Sequence, residues 1–135
     1  MISKKTRYAL LALVRLAKEY GKEPILISDI AESEHLPQRF LEGILLEMKK
    51  NGFLKSKLGK KGGYQLARHP SEIHIVDLYR LFEGPISLLP CASVKYYEAC
   101  EFCKDEPSCK IRMVFRDIRD YTVQKLSNTS LLDLM

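Results

Sequence analysis

Apolar residues in the first fifty positions recur with the period of a helix. Over residues 3–20, Tyr8, Leu11 and Ala12 lie along one side with Arg15, and Leu10, Leu13, Val14 and Ala17 widen the apolar stripe. Gly21 supplies a stop. The run "PILI" at 24–27 has room only for a very short strand. Ser28 carries the side chain of an N-cap for "DIAESEHL", and Asp29 suits the positively polarised first turn, which predicts a helix over 28–35. Pro37 is tolerated at a helix start, and Phe40, Leu41, Ile44, Leu45 and Met48 keep helical spacing as far as Asn51-Gly52. That predicts a second helix over 37–50, with Gln38, Arg39, Glu42, Gly43 and Glu47 off its apolar face. Two helices separated by so little chain must turn sharply, as in a helix-turn-helix.

The period then changes. "FLKSKL" and "YQLAR" read as short strands joined by "GKKGG" (59–63), a hairpin tip of glycines and lysines. A basic hairpin directly after a helix-turn-helix is a wing. A short amphipathic helix follows from Ile73 to Phe82, stopped by Gly84-Pro85. Residues 110–126 predict a longer helix with Ile111, Val114, Phe115, Ile118, Tyr121 and Thr122 on one face. The expected fold class is mainly α with a small β-wing. It divides into a winged helix-turn-helix domain (1–85), a cysteine-rich loop (86–109), and a long C-terminal helix with its tail (110–135).

Charge sharpens this picture. Residues 1–70 hold 14 Lys/Arg against 7 Asp/Glu, whereas residues 71–135 hold 8 against 10. Between Lys49 and Arg68 there are seven basic residues and no acidic one. Such an excess on one half attracts a polyanion, and double-stranded DNA is the partner expected. In a helix-turn-helix the second helix enters the major groove, where Arg39 suits guanine, Gln38 adenine and Glu42 a cytosine amino group. Ser28 and neighbouring N–H groups suit a phosphate. Lys60 and Lys61 are placed to enter or flank the minor groove. Gly62 and Gly63, with Tyr64 after them, let the wing backbone come close to the duplex.

The N-terminal "MISKKTRYALLALVRLA" places basic residues before an apolar run, but Arg15 interrupts that run and no small-residue cleavage site follows. No stretch is long enough for a transmembrane helix, so a cytoplasmic protein with no membrane partner is expected. No nucleotide-binding glycine loop, nucleophile–base pair or paired carboxylate motif is present, and His35, His69 and His74 are scattered. An enzyme is not expected.

All four cysteines, Cys91, Cys100, Cys103 and Cys109, fall within "CASVKYYEACEFCKDEPSC". In a reducing compartment a disulfide framework is disfavoured. Three chemistries suit the spacing C-x8-C-x2-C-x5-C: an iron–sulfur cluster of the [2Fe-2S] or [4Fe-4S] type, a structural zinc, or a metal-free thiol switch through Cys100 and Cys103. Cys109 also precedes the long helix, whose N-terminal dipole favours a thiolate.

"TRYALLALVRLA", "LPQRFLEGILLEMKKNGFLKS" and "GKKGGYQLAR" resemble the conserved blocks of the Rrf-type winged-helix regulators, and the resemblance extends to "TSLLDLM". That family includes an iron–sulfur cluster regulator, a nitric-oxide-sensitive repressor and a cysteine-metabolism repressor. The resemblance implies a homodimer built on the helix at 110–126, a roughly palindromic operator, and an iron–sulfur cluster in the interval that here holds the cysteines. The ligand match is incomplete. Cys103 and Cys109 keep the family interval, but Arg112 stands where the iron–sulfur regulator has a histidine. Near Arg7 and Tyr8 no carboxylate matches the ligand of the nitric-oxide-sensitive type. Cys100 is additional, which implies four thiolates in place of three and an outside ligand.

Overall fold

A computed structural model describes residues 2–135. Among these residues the chain forms α1 (Lys4–Lys18), α2 (Ile27–Ser33), α3 (Gln38–Lys50), β1 (Leu54–Lys57), β2 (Gly63–Leu66), α4 (Ile75–Phe82) and α5 (Lys110–Ser127). Short 3-10 turns lie at Pro70–Glu72, Pro90–Ala92 and Leu132–Leu134. The mainly helical architecture with a small wing follows the expectation from the pattern.

The core joins elements from both ends of the chain. Leu13 and Leu16 of α1, Ile30 of α2, Leu41, Ile44, Leu45 and Met48 of α3, Ile73 and Leu78 are almost fully buried in one cluster. Leu131, beyond α5, belongs to it too. The tail is tied down by its backbone: Leu131 N donates to Ile73 O at 2.9 Å and Ile75 N to Thr129 O at 3.0 Å. Ser130 is capped by Asp133, which accepts from its N–H at 2.8 Å. The residues 128–135 therefore pack with the winged-helix domain, while α5 leaves it and returns.

Two local expectations change. The predicted N-cap Ser28 is not the cap: α2 begins at Ile27 with Leu26 at the N-cap position and no side-chain cap bond. Ser28 is an exposed residue of the first turn. The apolar "PILI" run sets this start, because Ile25 leaves as a β-bridge to Tyr64 and the helix begins as soon as that pairing ends. Phe40 is the other case. It keeps the helical spacing of its apolar neighbours yet is 46% exposed, packing edge-on against Tyr8 with ring centroids 5.6 Å apart. It sits in the first turn of α3, at the rim of the core.

The hairpin pairs Leu54 with Leu66 through to Lys57 with Gly63 in antiparallel register. Its root is bound to the chain before α2. Ile25 N donates to Tyr64 O at 2.9 Å and Tyr64 N to Ile25 O at 2.8 Å. Gly63 has φ +134°, and a Cβ there would stand 2.2 Å from Ile25 O. Only glycine permits this approach.

At the other end of the domain Ser3 caps α1, its Oγ accepting from Thr6 N at 3.2 Å, and Glu83, just after α4, braces that cap. Its Oε1 accepts from Ser3 N and Ser3 Oγ at 2.7 Å each, and from Thr6 Oγ1. These bonds, the Thr6 hydroxyl foremost, hold the Glu83 carboxyl below its ordinary pKa. A carboxyl that is depressed in the folded state contributes stability above its unfolded pKa and loses it as pH falls. Wild type should therefore lose stability as pH drops below about 4.5 more steeply than Glu83→Gln, read by thermal unfolding across that range. Parallel curves for the two proteins would remove Glu83 as the titrating group. Gly63→Ala should lower stability by about 2 kcal/mol or more, seen as a lower Tm. A Tm within a degree or so of wild type would show that the wing root can shift freely.

Candidate DNA interface and cysteine cavity

The exposed polar residues of the helix-turn-helix are presented by α3. Four residues, 34–37, separate α2 from α3, and His35 takes a left-handed φ of 55° to make the turn. Pro37 occupies the N-cap position with extended backbone, so α3 opens on Gln38. Burial of Leu41, Ile44, Leu45 and Met48 fixes the rotation of the helix, which leaves Gln38, Arg39 and Glu42 exposed together in its first two turns. Lys60 and Lys61 are exposed at the wing tip. Gly62 and Gly63 serve the hairpin itself: a Cβ on Gly62 would lie 2.3 Å from Lys57 O. Tyr64 is half-buried and packs against the core. The wing is braced from α3 by Lys49 Nζ, which donates to Ser56 Oγ at 2.6 Å.

The second site lies at the foot of α5. Cys91, Cys100, Cys103 and Cys109 all line one cavity of about 790 Å³, along with Leu89, Pro90, Phe102 and Ile111. Cys91 is buried on the Pro90–Ala92 turn, Cys100 and Cys103 are exposed, and Cys109 is intermediate. Cys103 N donates to Cys100 O at 3.2 Å, which closes the C-x-x-C turn. Cys109 is the N-cap of α5 and its sulfur accepts from Arg112 N at 3.4 Å. The Cys103 thiol sits above its ordinary pKa although the residue is exposed. Partial desolvation against the cavity wall is the first cause, and the neighbouring Cys100 and Cys109 add to it. Among the described residues no three His, Cys, Asp or Glu side chains converge tightly enough to hold a single metal ion.

The spacing of the cysteines did not reveal what holds the loop in place. Arg112 Nε donates to Cys91 O at 2.9 Å, and its Nη2 lies 3.3 Å from Glu106 Oε1. Glu106 also accepts from the Tyr97 hydroxyl, which raises the pKa of that phenol. One turn pair further along α5, Arg119 Nη1 donates to Ala92 O. The two arginines stand seven residues apart on one side of the helix, and that interval was the available signal. The opposite stripe is Ile111, Val114, Ile118 and Tyr121, which are 67%, 57%, 44% and 70% exposed. No residue of α5 is buried by its own chain among those described. His35, His69 and His74 lie away from the cavity lining.

Comparison with known proteins decides the lineage. The Rrf2 family model, described as an iron-dependent transcriptional regulator, matches residues 2–135. The chain belongs to the Rrf2 family. An rrf2-like HTH-type regulator of Rhodobacter capsulatus is 42% identical over 121 residues, covering 87% of this chain and 81% of that one. The HTH-type regulator CymR of Bacillus subtilis is 35% identical across 98% of this chain and 88% of its own. The solved structure of that CymR, described as the global cysteine regulator of B. subtilis, superposes with a TM-score of 0.84 at 34% identity and covers 99% of this chain and 95% of that one. The structure of T. potens IscR gives a TM-score of 0.77 at 26% identity, covering 99% and 85%. This Rrf2 member is accordingly a DNA-binding transcriptional regulator and not an enzyme. Among the described residues no helix is long and apolar enough to cross a membrane.

In this Rrf2 chain Arg112 clasps the Pro90–Ala92 turn to α5. Arg112→Ala should free the Pro90–Ala92 turn. In the metal-free protein, wild-type Cys91 should then react with a thiol reagent more slowly than Cys100 and Cys103, and the variant should speed Cys91 selectively, read by mass-resolved alkylation. Equal Cys91 rates in the two proteins would show that Arg112 does not hold the turn.

Proposed function

We propose that the chain acts as a homodimeric operator-binding regulator whose DNA affinity is set by an iron–sulfur cluster held by Cys91, Cys100, Cys103 and Cys109. The observation that carries this reading is that all four cysteines line one cavity at the foot of α5. The donor set fits such a group, since four thiolates can complete a two-iron or a four-iron cluster. When bound, the cluster supplies reversible electron transfer and sensitivity to oxidants.

The chain's own residues supply the rest. Cys100 and Cys103 offer a paired chelate, and Cys109 lies where the α5 dipole favours a thiolate. Arg112 and Arg119 hold the Pro90–Ala92 turn on α5, so the order of the loop and the placement of α5 are linked. The exposed stripe of Ile111, Val114, Ile118 and Tyr121 suits pairing with α5 of a second copy. Any shift in that pairing alters the distance between two reading heads. On DNA, Gln38, Arg39 and Glu42 read base edges, Ser28 with first-turn N–H groups takes a phosphate, and Lys60 and Lys61 follow the backbone beside the minor groove. Gly62, Gly63 and Tyr64 set the shape of the wing.

The test is purification without oxygen, with the visible spectrum recorded beside iron, sulfide and zinc analysis. A coloured protein with iron and acid-labile sulfide is expected. Both should be lost when the four cysteines become serine, together with a change in operator affinity. A colourless protein with one zinc per chain would replace the cluster by a zinc clasp. Unchanged operator binding by the serine variant would remove the cysteines from regulation altogether.

A further inference from the structure

Side chains along β1 alternate between the two faces of the hairpin, so Leu54 and Ser56 share one face. At the wing root that face is turned to the body of the protein: Leu54 is 3% exposed, and Ser56 accepts from Lys49 of α3. Leu58 follows in the same alternation, past the last paired residues Lys57 and Gly63, where no core lies beneath it. It is 96% exposed, the most exposed of the large apolar side chains described. The tip is a tight turn: Gly62 N donates to Gly59 O at 3.0 Å, Gly59 stands at φ +104°, and a Cβ added at Gly62 would stand 2.3 Å from Lys57 O.

An apolar side chain at the end of a tight, lysine-rich hairpin matches one surface in particular. Lys57, Lys60 and Lys61, all exposed, lie within three positions of Leu58 along the hairpin, and their charge draws the tip to phosphates. Between the two phosphate rails, the minor groove has walls of sugar and a floor of base edges, which receive apolar side chains. Leucine is among the residues that proteins use as wedges between stacked base pairs, kinking the duplex toward the major groove. A protein surface would also accept a leucine, but it would not call for three lysines beside it and no acidic residue between Lys49 and Arg68.

We infer that Leu58 is a minor-groove wedge, so that the wing selects an easily unstacked pyrimidine–purine step at a place where no polar side chain reads a base. This rests on the reading that the wing faces DNA. The specificity of this protein would then have two independent sources: base-edge contacts from α3, and deformability under the wing.

The experiment uses the full-length protein. A preferred duplex is first selected from a random pool. Binding is then measured at several salt concentrations, bending is read by end-to-end energy transfer, and 2-aminopurine is placed in turn at each step of the duplex. With wild type, one or two adjacent steps per half-site should brighten on binding, as a base loses its stacking partner. Leu58→Ala should abolish that signal, reduce the bend and weaken binding by about tenfold, with an unchanged salt slope. Lys60→Ala with Lys61→Ala should instead flatten the salt slope. Because Leu58 is exposed, the Leu58→Ala protein should unfold at the wild-type temperature.

Wild type that binds its selected duplex without unstacking any step overturns the wedge, as does Leu58→Ala with wild-type affinity and bend. The latter is the result expected if the leucine serves a protein partner. Failure of wild type to select any duplex would be recognisable separately, as failure of the DNA reading itself.

Discussion

The seam between α1 and α3 carries the rest of the molecule. Leu13 and Leu16 from one helix meet Leu41, Leu45 and Met48 of the other in the buried cluster, all 2% exposed or less. Truncating one such side chain costs about 2–5 kcal/mol, a large share of the roughly 5–15 kcal/mol that holds a domain of this size together. This seam fixes how α3 is rotated. Gln38, Arg39 and Glu42 are presented together because the alternating residues of the same turns are locked inside. The ion pair between Lys5 and Glu47, at 2.6 Å across the same two helices, is half exposed and adds little by comparison.

Elsewhere the chain relies on backbone geometry and charge-assisted hydrogen bonds. The wing is short and mostly polar, with only Leu54 and Leu66 well buried in it, so its attitude depends on the paired bonds of Ile25 with Tyr64 and on the absence of a side chain at Gly63. The cysteine loop has less core still. Beyond the buried residues 91–93 it is almost wholly exposed, and Arg112 and Arg119 do the holding by bonding carbonyls of the Pro90–Ala92 turn. A segment held by a few polar contacts at one end is suited to large rearrangement, since little apolar burial is lost when it moves.

The α5 helix obeys a different constraint. Its 18 residues carry an apolar stripe on one side and the loop-clasping arginines on another, and no residue of it is buried by the chain's own atoms. Both of its ends are nevertheless fixed. The first turn is capped by Cys109, and the residues just after the last turn are woven into the winged-helix core through Leu131. A rod pinned in this way joins the cysteine cavity at its foot to the winged-helix core at its end.

What the amino-acid order determined by itself is everything set by local periodicity and composition. The helical spacing around Leu41 and Met48, the glycine–lysine hairpin, the basic excess between Lys49 and Arg68, and the clustering of four cysteines before an amphipathic helix were all legible. They depend on residues within a few turns of one another. The start of α2 was misplaced from Ser28 because a β-bridge between residues 25 and 64 outweighed capping chemistry. The exposure of Phe40, the clasp of Arg112 on Cys91, the bracing of the α1 cap by Glu83, and the return of Leu131 to the core were decided only in three dimensions. Each joins residues some 20 to 120 positions apart, or turns on where the edge of the core falls, and no local pattern encodes which distant carbonyl or cavity a side chain will meet.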